Sequence, residues 1–311
     1  MSGYRGRFAP SPTGDLHLGS AATALLTWLA GRVAGGTLVM RIEDIDTPRV
    51  VEGAEERQLD DLRWLGLDWD EGPDVGGPCE PYRQSERHDH YERALTRLAD
   101  GGLTFRCDCS RREIAVASAP HPGEEGPRYP GTCRPHGMRE RPAKRPAAIR
   151  LAVPPRTIRV DDRFQGVFTH DVAAAVGDFV LRRGDGIWAY QLAVVVDDLA
   201  MGITEVVRGA DLLASAPRQA LLAELLGGRA PAFAHGPMLV ATDRGRLAKR
   251  VGGRTIRAER DAGRTAAEVG GRLAHLLGLT PSPTPVTPGE LLTDFDPTRL
   301  AGVASVEVPG D

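Results

Sequence analysis

A proline-rich run followed by a histidine and a glycine is the first feature of this chain that could do chemistry. Pro10-Ser11-Pro12-Thr13-Gly14 cannot lie inside a helix, and His17-Leu18-Gly19-Ser20 stands where an apolar helical pattern begins. A helix N-terminus presents unpaired N–H groups and the positive end of its dipole, which together favour a phosphate. Gly19 would let a ligand approach the backbone, and His17 would supply a donor. Spacing alone leaves a second reading open, a turn histidine that caps the helix. Cys107, Cys109 and Cys133 form another candidate centre. Thiolates bind Zn²⁺ tightly and a structural site wants four closed ligands, so three cysteines leave one place open. On ligand chemistry alone His136 or His121 is the natural fourth donor. Cys79, between Pro78 and Glu80, has no visible partner and is expected to be inert.

The elements that must position these residues are readable in outline. Gly6-Arg7-Phe8-Ala9 reads as a short strand, and a helix from near Gly19 carries Leu25, Leu26, Trp28, Leu29 and Val33 on one face. Gly35-Gly36 ends it, and residues 37–42 read as a buried strand. Strand, loop, helix and strand in that order make a βαβ unit, hence an α/β fold with a parallel sheet. Helices are expected over residues 50–65 and 86–99. Between residues 107 and 155 periodicity is lost, which reads as an insertion. Apolar runs at 179–181, 192–196 and 206–207 predict strands, with turns at 183–186 and Asp197-Asp198. Ser215-Ala216-Pro217 opens a helix, residues 235–240 suggest one more strand, and a basic loop spans 243–257. Two helices, 266–277 and 288–294, precede an end expected to be disordered.

Composition bounds the reading. With 311 residues, 41% apolar and 26% charged, the chain resembles ordinary soluble proteins. A formal charge of −3 gives no global basic field, so a nucleic-acid partner would have to be held by a local patch. No apolar stretch is long enough to span a bilayer, and the N-terminus lacks a signal-peptide core, so a cytoplasmic location and no membrane partner are expected. Four cysteines do not make a disulfide scaffold. The many arginines reflect a general bias towards Ala, Arg and Gly, so clusters of them carry little weight by themselves.

The string from Gly6 to Ser20 resembles the opening of class I glutamyl-tRNA synthetases, in which a His-Ile-Gly-His signature follows Phe-Ala-Pro-Ser-Pro-Thr-Gly. Residues 41–46, 192–198 and 204–211 match later segments of that family in the same order. Its Lys-Met-Ser-Lys-Ser signature is matched by Arg246-Leu247-Ala248-Lys249-Arg250, where Arg246 replaces the first lysine and Ala248 the serine. The resemblance implies a Rossmann-type doubly wound catalytic core and an ATP-dependent ligase that forms an aminoacyl adenylate. It implies ATP held with Mg²⁺ by His17, Gly19, Ser20 and Lys249, with His17, Gly19 and Lys249 serving catalysis. It also implies a glutamate pocket lined by Arg7, Ala9, Ser11, Glu43, Tyr190 and Arg208. That set suits the substrate, since two arginines answer two carboxylates and an acid answers the ammonium.

The cysteine region is similar to a shorter paralogous branch of the family, the glutamyl-queuosine tRNA(Asp) synthetases, whose Cys-x-Cys … Tyr-x-x-x-Cys site binds zinc. The resemblance implies Cys107, Cys109, Tyr129 and Cys133 as ligands. It divides the chain into a first catalytic half (1–106), a zinc-binding insertion (107–155), a second catalytic half with the Lys249 loop (156–258) and a short helical segment (259–311). About sixty residues follow that loop, too few for the helical anticodon-binding domains of a tRNA-charging enzyme. The implied partners are L-glutamate, ATP and the anticodon arm of tRNA(Asp), with the chain acting as a monomer. Arg139, Arg141, Lys144 and Arg145, and Arg244, Arg250, Arg254 and Arg257, are candidate tRNA contacts. Two other readings stand beside this one: a short enzyme charging the 3′ end of tRNA(Glu), and an inactive paralogue that binds tRNA or amino acid.

Overall fold

The computed structural model describes residues 3–117, 128–139, 142–241 and 254–308. The first strand, β1 (Arg5–Phe8), must stop where it does because Pro10 and Pro12 have no N–H to give a ladder. Gln58, buried on helix α2 (Ala54–Trp64), clamps the following loop by donating to the carbonyls of Ser11 (3.1 Å) and Gly14 (2.7 Å). Helix α1 (Leu18–Val33) then crosses over to β2 (Thr37–Met40), which pairs parallel with β1 from Arg5↔Thr37 to Phe8↔Met40. The crossover is tight: a Cβ at Gly31 would run into the Leu38 side chain.

Helix α3 (His88–Asp100) leads into β3 (Thr104–Cys107), α4 (Arg111–Ala117) and β4 (Ala148–Leu151). Strands β5 (Thr157–Asp162) and β6 (Gly166–Asp171), the short α5 (Val172–Ala175) and β7 (Val180–Arg182) follow. After α6 (Tyr190–Ala200) come β8 (Glu205–Gly209), α7 (Ala216–Leu225), β9 (Ala232–Gly236) and β10 (Met238–Ala241). The C-terminal part holds α8 (Ile256–Asp261), α9 (Ala266–Leu276), α10 (Pro288–Leu291) and β11 (Ser305–Val308).

The sheet is mixed where a parallel one was expected. Strands run β6-β5-β9-β8; β8 and β9 are parallel, while β5 and β6 form an antiparallel hairpin. The β1–β2 pair abuts β8 through the Thr204 N–H to Arg5 carbonyl bond of 2.8 Å. Strands β3, β4 and β7 make a separate antiparallel sheet. One core packs α1 and α9 against β1 and β2, and a second packs α3, α6 and α7 against β8 and β9.

Three further expectations are corrected. Residues 192–196 form not a strand but the middle of α6, and Asp197-Asp198 is its continuation rather than a turn. A short run that is apolar on every side has no period to separate helix from strand, and Leu192 to Asp198 is buried throughout. The stretch 235–240 is two strands, divided at Pro237, which cannot donate to a ladder. The end expected to be disordered contains β11, paired parallel with β10.

Asp197 shows what α6 does for the fold. It is fully buried and accepts from Arg87 Nε (2.6 Å), Gln84 Nε2 (2.8 Å) and the Tyr91 hydroxyl (2.9 Å), tying α6 to α3 and the segment before it. Asp197→Ala would leave the buried Arg87 guanidinium without its carboxylate. The expected loss is about 3–5 kcal/mol of unfolding free energy, read by urea denaturation; a loss within the range of a surface substitution would refute this account.

Candidate active site and metal-ligand cluster

Strands β1 and β8 lie side by side, and both point their C-terminal ends at one cleft of about 470 Å³. Its walls include Arg7, Ala9, Ser11, His17, Ser20, Glu43, Tyr190 and Arg208. The structure therefore brings together all six residues expected to face glutamate. Arg7 and Arg208 are each only 4% exposed, Ala9, Glu43 and Tyr190 are half-buried, and Ser11 is exposed.

The charges are arranged unevenly. Arg41 is wholly buried and bonded to Asp198 (2.7 Å) and Glu43 (3.1 Å), and the same Asp198 oxygen receives Arg7 Nε at 3.3 Å. One aspartate thus serves two guanidinium groups. Burial, countered by Arg41 and Arg7, raises Glu43 above the usual carboxylate range. Arg208 has no carboxylate among its bonded partners in the described residues. It donates to His235 Nε2 (2.9 Å), Gln219 Oε1 (2.7 Å), the Leu212 carbonyl (3.3 Å) and the Tyr190 hydroxyl (3.4 Å). Burial depresses its pKa. Arg41 also lies 3.9 Å from Asp197, the partner of Arg87, so Arg7, Arg41, Arg87 and Arg208 stand against Glu43, Asp197 and Asp198, four guanidinium groups to three carboxylates, one positive charge in excess when all three are ionised.

His17 sits at the N-cap of α1 with an exposed side chain that makes no capping hydrogen bond, so the capping role considered above is not the one it plays. The space beyond Gly19 is open, with no protein atom within 4 Å of where a Cβ would stand. Packing does not demand a glycine there; room for a ligand would. A second cleft of about 260 Å³, lined by His17, Gly19, Ser20, Pro237 and Met238, adjoins the first and shares His17, Ser20 and Gly209 with it.

Lys249, with Arg246, Ala248 and Arg250, lies outside the described residues, as do Arg244, Arg141 and His121. The chain resumes at Arg254, whose carbonyl accepts the Leu18 N–H at 3.1 Å, while the Ile256 N–H bonds the Leu16 carbonyl at 2.8 Å. The segment five residues after Lys249 is thus hydrogen-bonded to the His17 turn itself.

In the insertion, the Sγ atoms of Cys107, Cys109 and Cys133 lie within 4.8 Å of one another, those of Cys109 and Cys133 at 3.5 Å. Tyr129 Oη is 3.4 Å from Cys107 Sγ and accepts the Cys133 N–H at 2.8 Å. Zn–S bonds of about 2.3 Å in a tetrahedron separate sulfurs by about 3.8 Å, which this cluster brackets. Burial and the neighbouring thiols push Cys109 up to about 12, while Cys107, against its own burial, is lowered by the Tyr129 hydroxyl and Arg150. The donors therefore fit a metal ion. His136 is exposed and does not join the set. Cys79 has a partner the sequence did not suggest, Arg5 Nη2 at 3.5 Å.

The basic residues proposed to meet tRNA are largely engaged within the chain. Lys144 and Arg145 both pair with Glu113, Arg254 with the buried Glu259, and Arg257 with Asp60 and Asp61. Arg139 is exposed. Among the described residues no helix is long and apolar enough to cross a membrane.

Sequence reasoning overlooked Asp198, Arg41, Gln219, Asp162 and His235. Arg41 and Asp198 stood in segments already matched to the synthetases, so buried charge beside the pocket was the available signal; the other three left none.

Comparison with known proteins agrees with this geometry. The family described as tRNA synthetases class I (E and Q), catalytic domain, matches residues 4–280. The Glutamyl-Q tRNA(Asp) synthetase of Symbiobacterium thermophilum is 52% identical over 301 residues, 95% of this chain and 93% of that protein. The protein of the same name from Nocardia farcinica is 50% identical over 303 residues, 96% and 91% of the two chains. The crystal structure of a glutamate-tRNA synthetase from Elizabethkingia anophelis superposes with a TM-score of 0.82 at 30% identity, covering 98% of this chain and 68% of that one. With the adjoining clefts and their charged walls, these likenesses show that the chain belongs to the Glutamyl-Q tRNA(Asp) synthetase family of class I synthetase catalytic domains.

Proposed function

We propose that this chain activates L-glutamate with ATP as glutamyl-adenylate and transfers the glutamyl group to the queuosine base at the wobble position of tRNA(Asp). The observation that carries the activation step is the single positive charge in excess among the connected set Arg7, Arg41, Arg87, Arg208, Glu43, Asp197 and Asp198. Glutamate brings two carboxylates and one ammonium, a net charge of −1 that neutralises the cleft. Arg7 and Arg208 would each take a carboxylate, and Glu43 the ammonium. Tyr190 walls the pocket with its hydroxyl towards Arg208, while Ala9 and Ser11 line its mouth.

The carboxylate attacks the α-phosphorus of ATP, forming a mixed anhydride and releasing pyrophosphate. It is already ionised at neutral pH, so no general base is needed and catalysis is alignment and neutralisation of phosphate charge. His17 and the N–H groups at Gly19 and Ser20 meet the phosphates from one side, and Lys249 would meet them from the loop that returns at Arg254. Mg²⁺ supplies further neutralisation when it accompanies ATP. A hydroxyl of the queuosine cyclopentenediol then attacks the activated carbonyl and AMP leaves. The halves of the catalytic unit are assigned to residues 1–106 and 156–258, and the zinc-binding insertion to 107–155, with Cys107, Cys109, Tyr129 and Cys133 holding the ion.

Purified protein should support glutamate-dependent pyrophosphate exchange without tRNA, and label from radioactive glutamate should reach tRNA(Asp) only when queuosine is present. Label on tRNA(Glu) that persists without queuosine would establish 3′-end charging instead. Arg208→Gln removes the charge that has no protein carboxylate, and the KM for glutamate should rise roughly 10- to 100-fold, as for hydrogen bonds to charged groups of about 1.5–3 kcal/mol. An unchanged KM would remove Arg208 from the pocket. Metal analysis should find about one zinc per chain. Tyr129→Phe should release zinc to a chelator faster than the parent, whereas that behaviour in His136→Ala alone would make imidazole the fourth donor.

A further inference from the structure

Arg208 is held by a chain of residues that crosses three strands. The parallel register of β8 and β9 sets Arg208 directly beside His235, and β5 meets β9 at Asp162↔Phe233, one step away. His235 and its hydrogen-bonded partner oxygen on Asp162 are fully buried, with Nδ1 2.5 Å from Asp162 Oδ2. The imidazole stacks on Phe233 (5.9 Å between centroids, 23° between planes), and the Arg208 guanidinium lies over the same phenyl ring at 5.2 Å.

The direction of each bond is fixed by elimination. The Leu212 carbonyl also bonds to the ring and favours a proton there, but a guanidinium N–H can only donate, so the 2.9 Å contact with Arg208 Nε assigns a lone pair to Nε2. The proton then belongs on Nδ1, facing Asp162, which must be an ionised acceptor. Asp162 is built for that state: its other oxygen accepts the N–H groups of Phe164 (3.1 Å), Gln165 (2.9 Å) and His235 itself (3.1 Å). Burial opposes ionisation, yet the bonds from His235 and these amides outweigh it and lower the Asp162 pKa. Burial likewise lowers that of His235 and favours the neutral ring.

We propose that Asp162 and His235 are positioning residues for glutamate recognition: the Asp162 carboxylate locks His235 in its Nδ1–H tautomer, so that Nε2 anchors Arg208 Nε and leaves the guanidinium aimed past Tyr190 at the substrate carboxylate. The proposal rests on the reading of Arg208 as a glutamate ligand. Neither residue touches the substrate. A purely structural role would be to satisfy a buried imidazole, which either tautomer could do; only the Nδ1–H form can accept from Arg208.

Asp162→Asn separates these roles, because the amide can keep its oxygen on the backbone N–H groups and turn its NH₂ towards His235. The ring must then carry its proton on Nε2, against the Arg208 N–H. In pyrophosphate exchange the KM for glutamate should rise roughly tenfold, the loss of about one hydrogen bond to a charged group, with kcat and the KM for ATP within about twofold. His235→Gln, whose amide oxygen can occupy the position of Nε2, should lose less. The double variant should be no weaker than His235→Gln alone, since without an imidazole the identity of residue 162 has no tautomer to set. A glutamate KM unchanged in Asp162→Asn, equal losses for ATP and glutamate, or additive losses in the double variant would each overturn the proposal. Nitrogen-15 NMR of the histidines in the parent protein decides the point even if the variants do not fold. A pyrrole-type Nδ1 and a pyridine-type Nε2 at His235 are expected, and the reverse assignment would overturn it. Absence of glutamate-dependent exchange in the parent would instead count against the assigned activity, and leaves the tautomer measurement in force.

Discussion

Arginine side chains crowd one end of the sheet, and the rest of the fold is arranged to keep them there. Arg7 and Arg41 are buried beside each other on neighbouring strands or their extensions, and burial of a guanidinium is tolerable only with carboxylates and hydrogen bonds around it. Those carboxylates come from Asp198 and Glu43. Asp198 shares the work with its neighbour Asp197, which hydrogen-bonds donors on and before α3 and lies 3.9 Å from Arg41 on its other side. Successive residues of a helix point about 100° apart, so one helical turn can send two carboxylates to different donor sets that meet at Arg41. A strand would send the two side chains to opposite faces of a sheet, and both could not reach arginines packed on one side. The helical state of α6 is therefore a condition of the pocket.

That condition was hidden in the sequence. Leu192 to Val196 looks like a strand because its residues are β-branched and apolar, and only the burial of the helix on all sides explains the missing polar stripe. The first βαβ unit was legible for the opposite reason. Pro10, Pro12, Gly35 and Gly36 interrupt the chain where it turns, and α1 is long enough to show its period. Strand β11 was illegible because its pairing partner, β10, is distant in sequence, and local composition says nothing about that. The divided strand at Pro237 was open to reading, since a proline between two short runs breaks a ladder wherever it falls.

At the site, the residues whose chemistry is intrinsic were legible and those that aim them were not. Arg7, Glu43, Tyr190 and Arg208 could be picked out as a set complementary to glutamate, and the structure gathers them on one cleft. Gln219 and His235 act only through distance to Arg208, and nothing in their local sequence marks that distance. Arg254 and Arg257 pair with Glu259, Asp60 and Asp61 within the chain, a set of partners that their sequence neighbourhood does not mark. The Arg257 pairs stitch α8 to α2, while Arg254 braces the start of α8.

The insertion obeys a different constraint. Among the described residues, the cluster around its cysteines consists of Phe105, Cys107, Ile114, Tyr129 and Cys133, with Cys109 and Ala152 packed against it. So few apolar side chains offset little of the entropy lost in ordering a segment rich in proline, glycine and arginine. Three of those five core residues, together with Cys109, are the donors gathered around one point, so the same side chains would serve as core and as ligands. A bound cation would stabilise the folded insertion directly, because scattered thiols in an unfolded segment bind it less well. Tyr129 fits this economy: its ring stacks on Phe105 and lies under Arg150, while its oxygen faces Cys107. A histidine could replace the oxygen but not the packing, which is a physical reason for a phenol at a position where ligand chemistry alone favours imidazole.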